Sequence, residues 1–227
     1  MNFASSVRQS GALQTPVSNF DGLARLYRWM ELFTFGSYLA RCRSTFLSDC
    51  ASCRQALVLG DGDGRFTAQL LRANPAIEID AVDASPAMLA ALLRRAASHR
   101  ARVAVFCADI RGWQPPNPPY DLVVTHFLLD CLTTEDVQSL AVTLRGKLTD
   151  RALWIVSEFA VADGWFGRLI AAPVVAILYR VFGVLTGLSI RTLPAHAAAL
   201  SQAGFTLTRR QKRLGGLLIS ELWTPKW

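Results

Sequence analysis

The sequence predicts an α/β fold in which short apolar strands alternate with helices. Three observations carry that reading. Residues 56–59 (Ala-Leu-Val-Leu) form an apolar run that meets Gly60, Gly62 and Gly64 at alternate positions, and Phe66-Thr67-Ala68-Gln69-Leu70-Leu71 then opens like a helix. Further apolar runs at 77–83, 103–106 and 120–125 lead to polar residues, Asp83, Asp109 and His126 in turn. Between them lie helix starts with cap signals, Ser85-Pro86 and Thr133-Thr134-Glu135-Asp136.

Taken in order, residues 1–21 are polar and mixed, with Gly11 and Pro16, and are expected to be a flexible tail. From 22 to 48, Leu26, Met30, Phe33, Phe35, Tyr38, Leu39 and Phe46 fall near helical spacing, with Gly36 a break between two helices. The glycine turn has the spacing Gly-x-Gly-x-Gly. Strand, tight turn and helix start bring backbone N–H groups close to a ligand. A dinucleotide fingerprint would need a third glycine where Arg65 stands, which argues against a pyrophosphate there. The second strand ends at Asp83, an acid placed to accept from both hydroxyls of a ribose. The helix after Ser85 turns Met88, Leu89, Leu92 and Leu93 to the core.

The proline-rich stretch 112–119 can be neither helix nor central strand. A capped helix runs from Thr133 to about Lys147, and 152–158 is a fifth strand. Pro194 opens a helix that stops at Gly204. Residues 205–208 and 217–223 flank Gly215-Gly216 as an antiparallel pair.

The ordered series of glycine loop, Asp83, Ala108-Asp109-Ile110 and the strand entered by Tyr120-Asp121 resembles the class I S-adenosylmethionine-dependent methyltransferases, of small-molecule type. The resemblance runs from about Gln55 to the C-terminus, and the layout is similar to methyltransferases of quinone biosynthesis. It implies a Rossmann-like seven-stranded, mostly parallel sheet of order 3-2-1-4-5-7-6, with helices on both faces and only the last, inserted strand antiparallel. It implies S-adenosylmethionine as cofactor, with S-adenosylhomocysteine as product. The positions it assigns to the cofactor are Gly60, Asp61, Gly62, Asp63, Gly64, Asp83, Ala84, Met88, Asp109, Ile110 and His126, with Tyr27 and Arg43 reaching from the N-terminal helices. Those helices, at 22–48, would cover the cofactor and wall the acceptor pocket; the alternative for Tyr27 and Arg43 is an ordinary covering helix with a snorkelling arginine. One departure stands out. The family carries an acid two residues before the first glycine, where this chain has Val58. Asp61 or Asp63 is expected to take over contacts at the amino-acid end of the cofactor.

Composition narrows the class. At 52% hydrophobic residues the chain is neither disordered nor fibrous, and 227 residues suit one α/β domain, here 22–227. The net charge of +7 gathers at Arg94-Arg95, at His99 to Arg102 and at Arg209-Arg210-Gln211-Lys212-Arg213. Such clusters suit nucleic acid or anionic membrane, but a solvated helix face and a charged strand edge account for them, and nucleic acid is not the expected partner. Five cysteines, an odd number, speak against a disulfide framework. Cys50-Ala51-Ser52-Cys53 lacks the second pair or histidines of a structural zinc site, so no metal is expected. The N-terminus has no basic start with an apolar core behind it, which points to the cytoplasm.

The stretch 164–190 is unusually apolar. Trp165, Phe166, Leu169, Ile170, Val174, Ile177, Leu178, Val181, Phe182 and Leu185 recur in pairs at about four-residue steps. Arg168, Arg180, Pro173 and three glycines make it a poor membrane span. A helical insertion closing over an apolar acceptor is expected, with peripheral membrane contact as a further use. The acceptor would meet Phe35, Tyr38, Phe127, Phe166 and Phe182.

Methyl transfer from a sulfonium is an in-line displacement in which proximity alone can supply roughly 7–11 kcal/mol, so no nucleophile need appear. If the acceptor loses a proton, His126 at the tip of the fourth strand is the candidate base, with Asp130 to orient it or contact substrate. The alternative is that His126 packs against the cofactor and Asp130 is a helix-start acid. The expected function is methyl transfer to a small, lipophilic or aromatic acceptor. Two alternatives stand beside it: an RNA or protein methyltransferase using the basic clusters, and a non-catalytic cofactor-binding module. Thr125-His126-Phe127-Leu128 replaces the Asn/Asp-Pro-Pro-Tyr/Phe run of amino-methyltransferases, which counts against base N-methylation.

Overall fold

A computed structural model describes residues 36–160 and 194–226. The expected tail, the apolar insertion, and with them Tyr27, Phe35, Phe166 and Phe182, lie outside the described residues. In chain order the elements are α1 (Gly36–Arg43), a 3-10 turn (Leu47–Ser52), β1 (Gln55–Leu59), α2 (Arg65–Ala73), β2 (Glu78–Asp83), α3 (Pro86–Arg95), β3 (Val103–Cys107), β4 (Tyr120–His126), α4 (Thr134–Arg145), β5 (Leu148–Phe159), α5 (His196–Gln202), β6 (Phe205–Arg213) and β7 (Leu218–Pro225). The seven strands form one sheet in the order β3-β2-β1-β4-β5-β7-β6, and β7 runs antiparallel to both its neighbours. The expected order and the one inverted strand are both present.

Two apolar clusters show why helices cover both faces. Side chains alternate along a strand, so Ala56 and Val58 point to one side of β1 while Leu57 and Leu59 point to the other. Ala56 and Val58 join Phe66, Leu70 and Leu71 of α2 and Leu89 and Leu92 of α3. Leu57 and Leu59 join Val137, Leu140 and Leu144 of α4 and Ala199 and Leu200 of α5. The run Ala56–Leu59 of β1 is therefore apolar on both sides, as a strand buried on both faces requires.

Local signals set the helix starts. Ser85 Oγ accepts from the Met88 N–H with Pro86 at the first helical position. Thr133 and Asp136 form a reciprocal capping box ahead of α4. Two strands are much longer than the pattern suggests. β5 starts at Leu148 instead of 152, across a register irregularity between Tyr120 and Leu122. β6 continues through Arg209-Arg210-Gln211-Lys212-Arg213, because β7 pairs with it residue by residue, Arg210 opposite Glu221. Neighbour pairing overrides the weak strand preference of charged residues.

Candidate functional site

The site lies where the carboxyl ends of β1, β2 and β4 meet, at the point where the strand order reverses. Gly60, Gly62 and Gly64 all have positive φ, at 66°, 60° and 79°. At Gly60 a Cβ would stand 2.8 Å from Leu128 Cδ1, and at Gly64 one would stand 2.6 Å from Leu92 Cγ. Gly62 differs: its nearest neighbour would be Met88 Sδ at 3.8 Å. The outer glycines thus let chain segments close in, whereas the space beside Gly62 is uncrowded. The Gly60 N–H donates to Val82 O at 2.8 Å, which fixes the loop against that strand.

The two loop acids have separate partners. Asp61 accepts from the Phe66 and Thr67 N–H groups, at 3.3 and 2.8 Å, and so satisfies the start of α2. Burial raises its pKa, against the Thr67 hydrogen bonds and the nearby charge of Arg43. Asp63 turns away to Arg95 of α3, at 2.7 Å, and to Arg65, at 3.3 Å. Val58 is a buried core residue, so the acid of the resembled family has no counterpart there.

Asp83 closes β2. Its Oδ1 accepts from the Ser85 N–H at 2.9 Å, and burial raises its pKa against hydrogen bonds from Ser85 and Gly62 backbone. Ala84 is exposed beside it, and Met88 leans over Gly62. Across the β3 end, the Ala108 N–H donates to Asp83 O at 3.2 Å, which brings Asp109 and Ile110 to the same rim. Asp109 is held below the usual carboxylate range by its hydrogen bonds with Arg111.

His126 ends β4, only 3% exposed, with its ring edge-on to Phe66 at 4.7 Å between centroids. Among the described residues neither ring nitrogen has a hydrogen-bond partner. Burial, with the Arg43 charge, pushes its pKa well below the ordinary imidazole value, so the ring is neutral. The next residue, Phe127, has φ 55° and packs on Phe159 at 5.2 Å, with the Arg43 guanidinium 5.4 Å from its ring centre. Tyr38 is 41% exposed with Arg41 over its ring, on α1.

Glu158, absent from the sequence-derived site, organises this corner. It is 1% exposed at the end of β5. Its Oε1 accepts from the Leu128 and Leu129 N–H groups, at 3.1 and 2.8 Å, while Oε2 has no hydrogen-bond partner among the described residues. Burial and the neighbouring Asp130 raise its pKa well above the carboxylate range. Asp130 itself is pushed up to about 6, chiefly by burial. An acid closing an apolar strand, as Asp83 does on β2, was the available signal for Glu158.

Residues 56–149 match the profile of a family described as a methyltransferase domain. No curated protein matches the sequence. Among solved structures, the fold is similar to the mitomycin 7-O-methyltransferase MmcR, at 17% identity and a TM-score of 0.67, over 91% of this chain and 60% of that one. It is similar to the S-adenosylmethionine-dependent methyltransferase SibL, at 21% identity and 0.65, over 95% and 64%. It is also similar to the N-methyltransferase NodS from Bradyrhizobium japonicum WM9 in complex with S-adenosyl-L-homocysteine, at 13% and 0.58, over 83% and 84%. The chain thus spans about three fifths of the length of the first two.

Proposed function

We propose that this chain, a methyltransferase domain over residues 56–149, transfers the methyl group of S-adenosylmethionine to a small, lipophilic or aromatic acceptor. The observation that carries the reading is the uncrowded Gly62 turn, whose backbone bonds Asp83 across the β1–β2 crossover. This cradle fits a nucleoside: Asp83 for the ribose hydroxyls, Ala84, Met88, Asp109 and Ile110 around the base. At its other end Asp61 and Arg43 present opposite charges, which suits the zwitterionic amino-acid end of the cofactor. Asp63 is engaged with two arginines and contributes by holding the loop. When bound, the cofactor supplies an electrophilic methyl. The chain's own residues align the acceptor and exclude water.

The acceptor side is built by Phe127 and Phe159, with Leu39 and Leu214 in the same apolar cluster. These side chains favour an apolar acceptor, and the apolar composition of the sequence at 164–190 suits peripheral contact with a membrane. A neutral, buried His126 is a weak base. The Asp130–Glu158 pair, with Asp130 near pH 6, is better poised to take a proton from a protic acceptor. Five free cysteines fit a reducing compartment such as the cytoplasm.

Calorimetry with S-adenosylhomocysteine tests the cofactor assignment. The wild type should bind and gain thermal stability. Asp83→Ala should weaken binding by roughly ten- to a hundredfold, the loss of hydrogen bonds to a charged acceptor. A wild-type protein that binds neither donor nor product would end this reading. Binding without turnover on any phenolic or other small acceptor would favour the non-catalytic alternative.

A further inference from the structure

We propose that Ser157 and Ser220 are positioning residues that clamp the end of α1 and thereby aim Arg43 at the carboxylate of the methyl donor. The inference rests on the cofactor site argued above. Ser157 and Ser220 lie directly opposite one another on the antiparallel strands β5 and β7, so their side chains share a face of the sheet. Both are completely buried. Both hydroxyls donate to one acceptor, the backbone carbonyl of Cys42 in the last turn of α1, at 3.3 and 3.0 Å. The Thr45 N–H donates to the same oxygen at 3.2 Å. Three donors on one helix-terminal carbonyl exceed what the end of a helix needs for satisfaction, since one partner suffices.

The residue after that carbonyl is Arg43. Its guanidinium lies 5.4 Å from the Phe127 ring centre, and its charge lowers the pKa of both Asp61 and His126. It therefore sits on Phe127, just past the β4 tip, within electrostatic reach of Asp61 in the glycine loop. Among the described residues the apolar contact that would otherwise fix α1 is small: Leu39 and Cys42 against Phe127 and Leu218, flanked by Phe159 and Leu214. Such a contact resists removal of the helix better than its rotation. A slip of one residue turns an α-helix by about 100°, which would carry Arg43 off the site. The paired hydroxyls fix that rotation. Ser157 is also the residue whose carbonyl accepts from the Phe127 N–H, at 2.7 Å, so one residue registers both α1 and the wall beneath Arg43.

A carboxylate-selective readout separates aiming from general support. Affinities for S-adenosylhomocysteine and for methylthioadenosine, which lacks the amino-acid end, are compared by calorimetry. Arg43→Met should weaken the first about ten- to a hundredfold and leave the second within about twofold. The double variant Ser157→Ala/Ser220→Ala should show the same selective loss, at about tenfold, and should add nothing when placed on Arg43→Met. Equal loss for both ligands, additivity with Arg43→Met, or no loss at all would overturn the clamp. The single variant Ser220→Ala, a milder change at a 3.0 Å bond, should give an intermediate selective loss and serves if the double variant does not fold. A wild type that binds neither ligand would instead overturn the cofactor site and the clamp with it, whereas the outcomes above leave the cofactor site standing.

Discussion

Burial moves His126 and Asp130 in opposite directions, and the two shifts have opposite consequences for stability. The folded pKa of His126 lies below its unfolded value, so the unfolded chain takes the proton first. Stability from this group is present above about pH 6.5 and falls as pH drops below it. Asp130 is raised from 3.8 to about 6, so here the folded chain holds the proton more tightly. Its contribution is favourable at low pH and is lost as pH rises from about 4 to about 6. Asp130→Asn should therefore flatten the loss between about pH 4 and 6 and melt higher than wild type near pH 8. His126→Phe, which keeps an aromatic edge for Phe66, should remove the loss just below about pH 6.5. Melting temperatures across that range check both; an Asp130→Asn protein no more stable than wild type near neutral pH would mean that Asp130 titrates normally. The sequence marked both residues by their place after a strand. It could not show that His126 is without a partner among the described residues, or that Glu158 sits beside Asp130, because both depend on contacts across the sheet.

At the scale of elements, the turn between β1 and α2 separates conformational demand from steric demand. Gly62 and Gly64 both have positive φ, at 60° and 79°, so alanine at either is strained. Gly62→Ala should cost about 1–2 kcal/mol from that strain alone, since its Cβ meets nothing closer than 3.8 Å. Gly64→Ala adds contact with Leu92 Cγ and with the Leu92 Cα, at 2.6 and 2.8 Å. Overpacking should raise its penalty by about a further 1–3 kcal/mol. Urea unfolding of the two variants measures the difference. Equal destabilisation would show that α3 yields to the added methyl. The order reverses for the ligand, because the Gly62 position faces Asp83: its alanine variant should lose more cofactor affinity per unit of stability lost. The glycine spacing was legible as a tight turn between strand and helix. The distinct duty of each glycine was not, since that depends on which helix or loop closes on it.

Over the described part of the molecule, three arginines of the densest basic cluster are engaged by the chain's own side chains. The net charge is +7, and the densest cluster falls on the edge strand β6. Arg209 pairs with Asp49 and stacks over Phe46 at 5.0 Å. Arg210 pairs with the buried Glu221 at 2.6 Å, and that carboxylate also receives His196 and Trp223. Arg213 reaches Thr45 at 3.5 Å. These contacts turn the cluster into a brace between β6 and the segment after α1. Affinity for RNA should accordingly be weak and should vanish at moderate salt in a filter-binding titration. Tight, salt-resistant binding to one RNA would overturn the small-acceptor reading. Among the described residues no helix is long and apolar enough to cross a membrane, and no acid, cysteine and histidine cluster is suited to a metal.

The sequence by itself determined the strand and helix series, the glycine turn, Asp83 at its strand end and the caps at Ser85 and Thr133, because each rests on spacing within a few residues of chain. The tertiary structure alone decided what β5, β6 and β7 contribute. Glu158, Ser157 and Ser220 are ordinary strand residues until antiparallel pairing sets Ser157 opposite Ser220 and the β4–β5 register places Glu158 under the Leu128–Leu129 amides. Those contacts join residues separated by 29 to 178 positions, and no local pattern encodes a distance of that kind. Periodicity reports which face a residue takes; register across the sheet reports what it meets there.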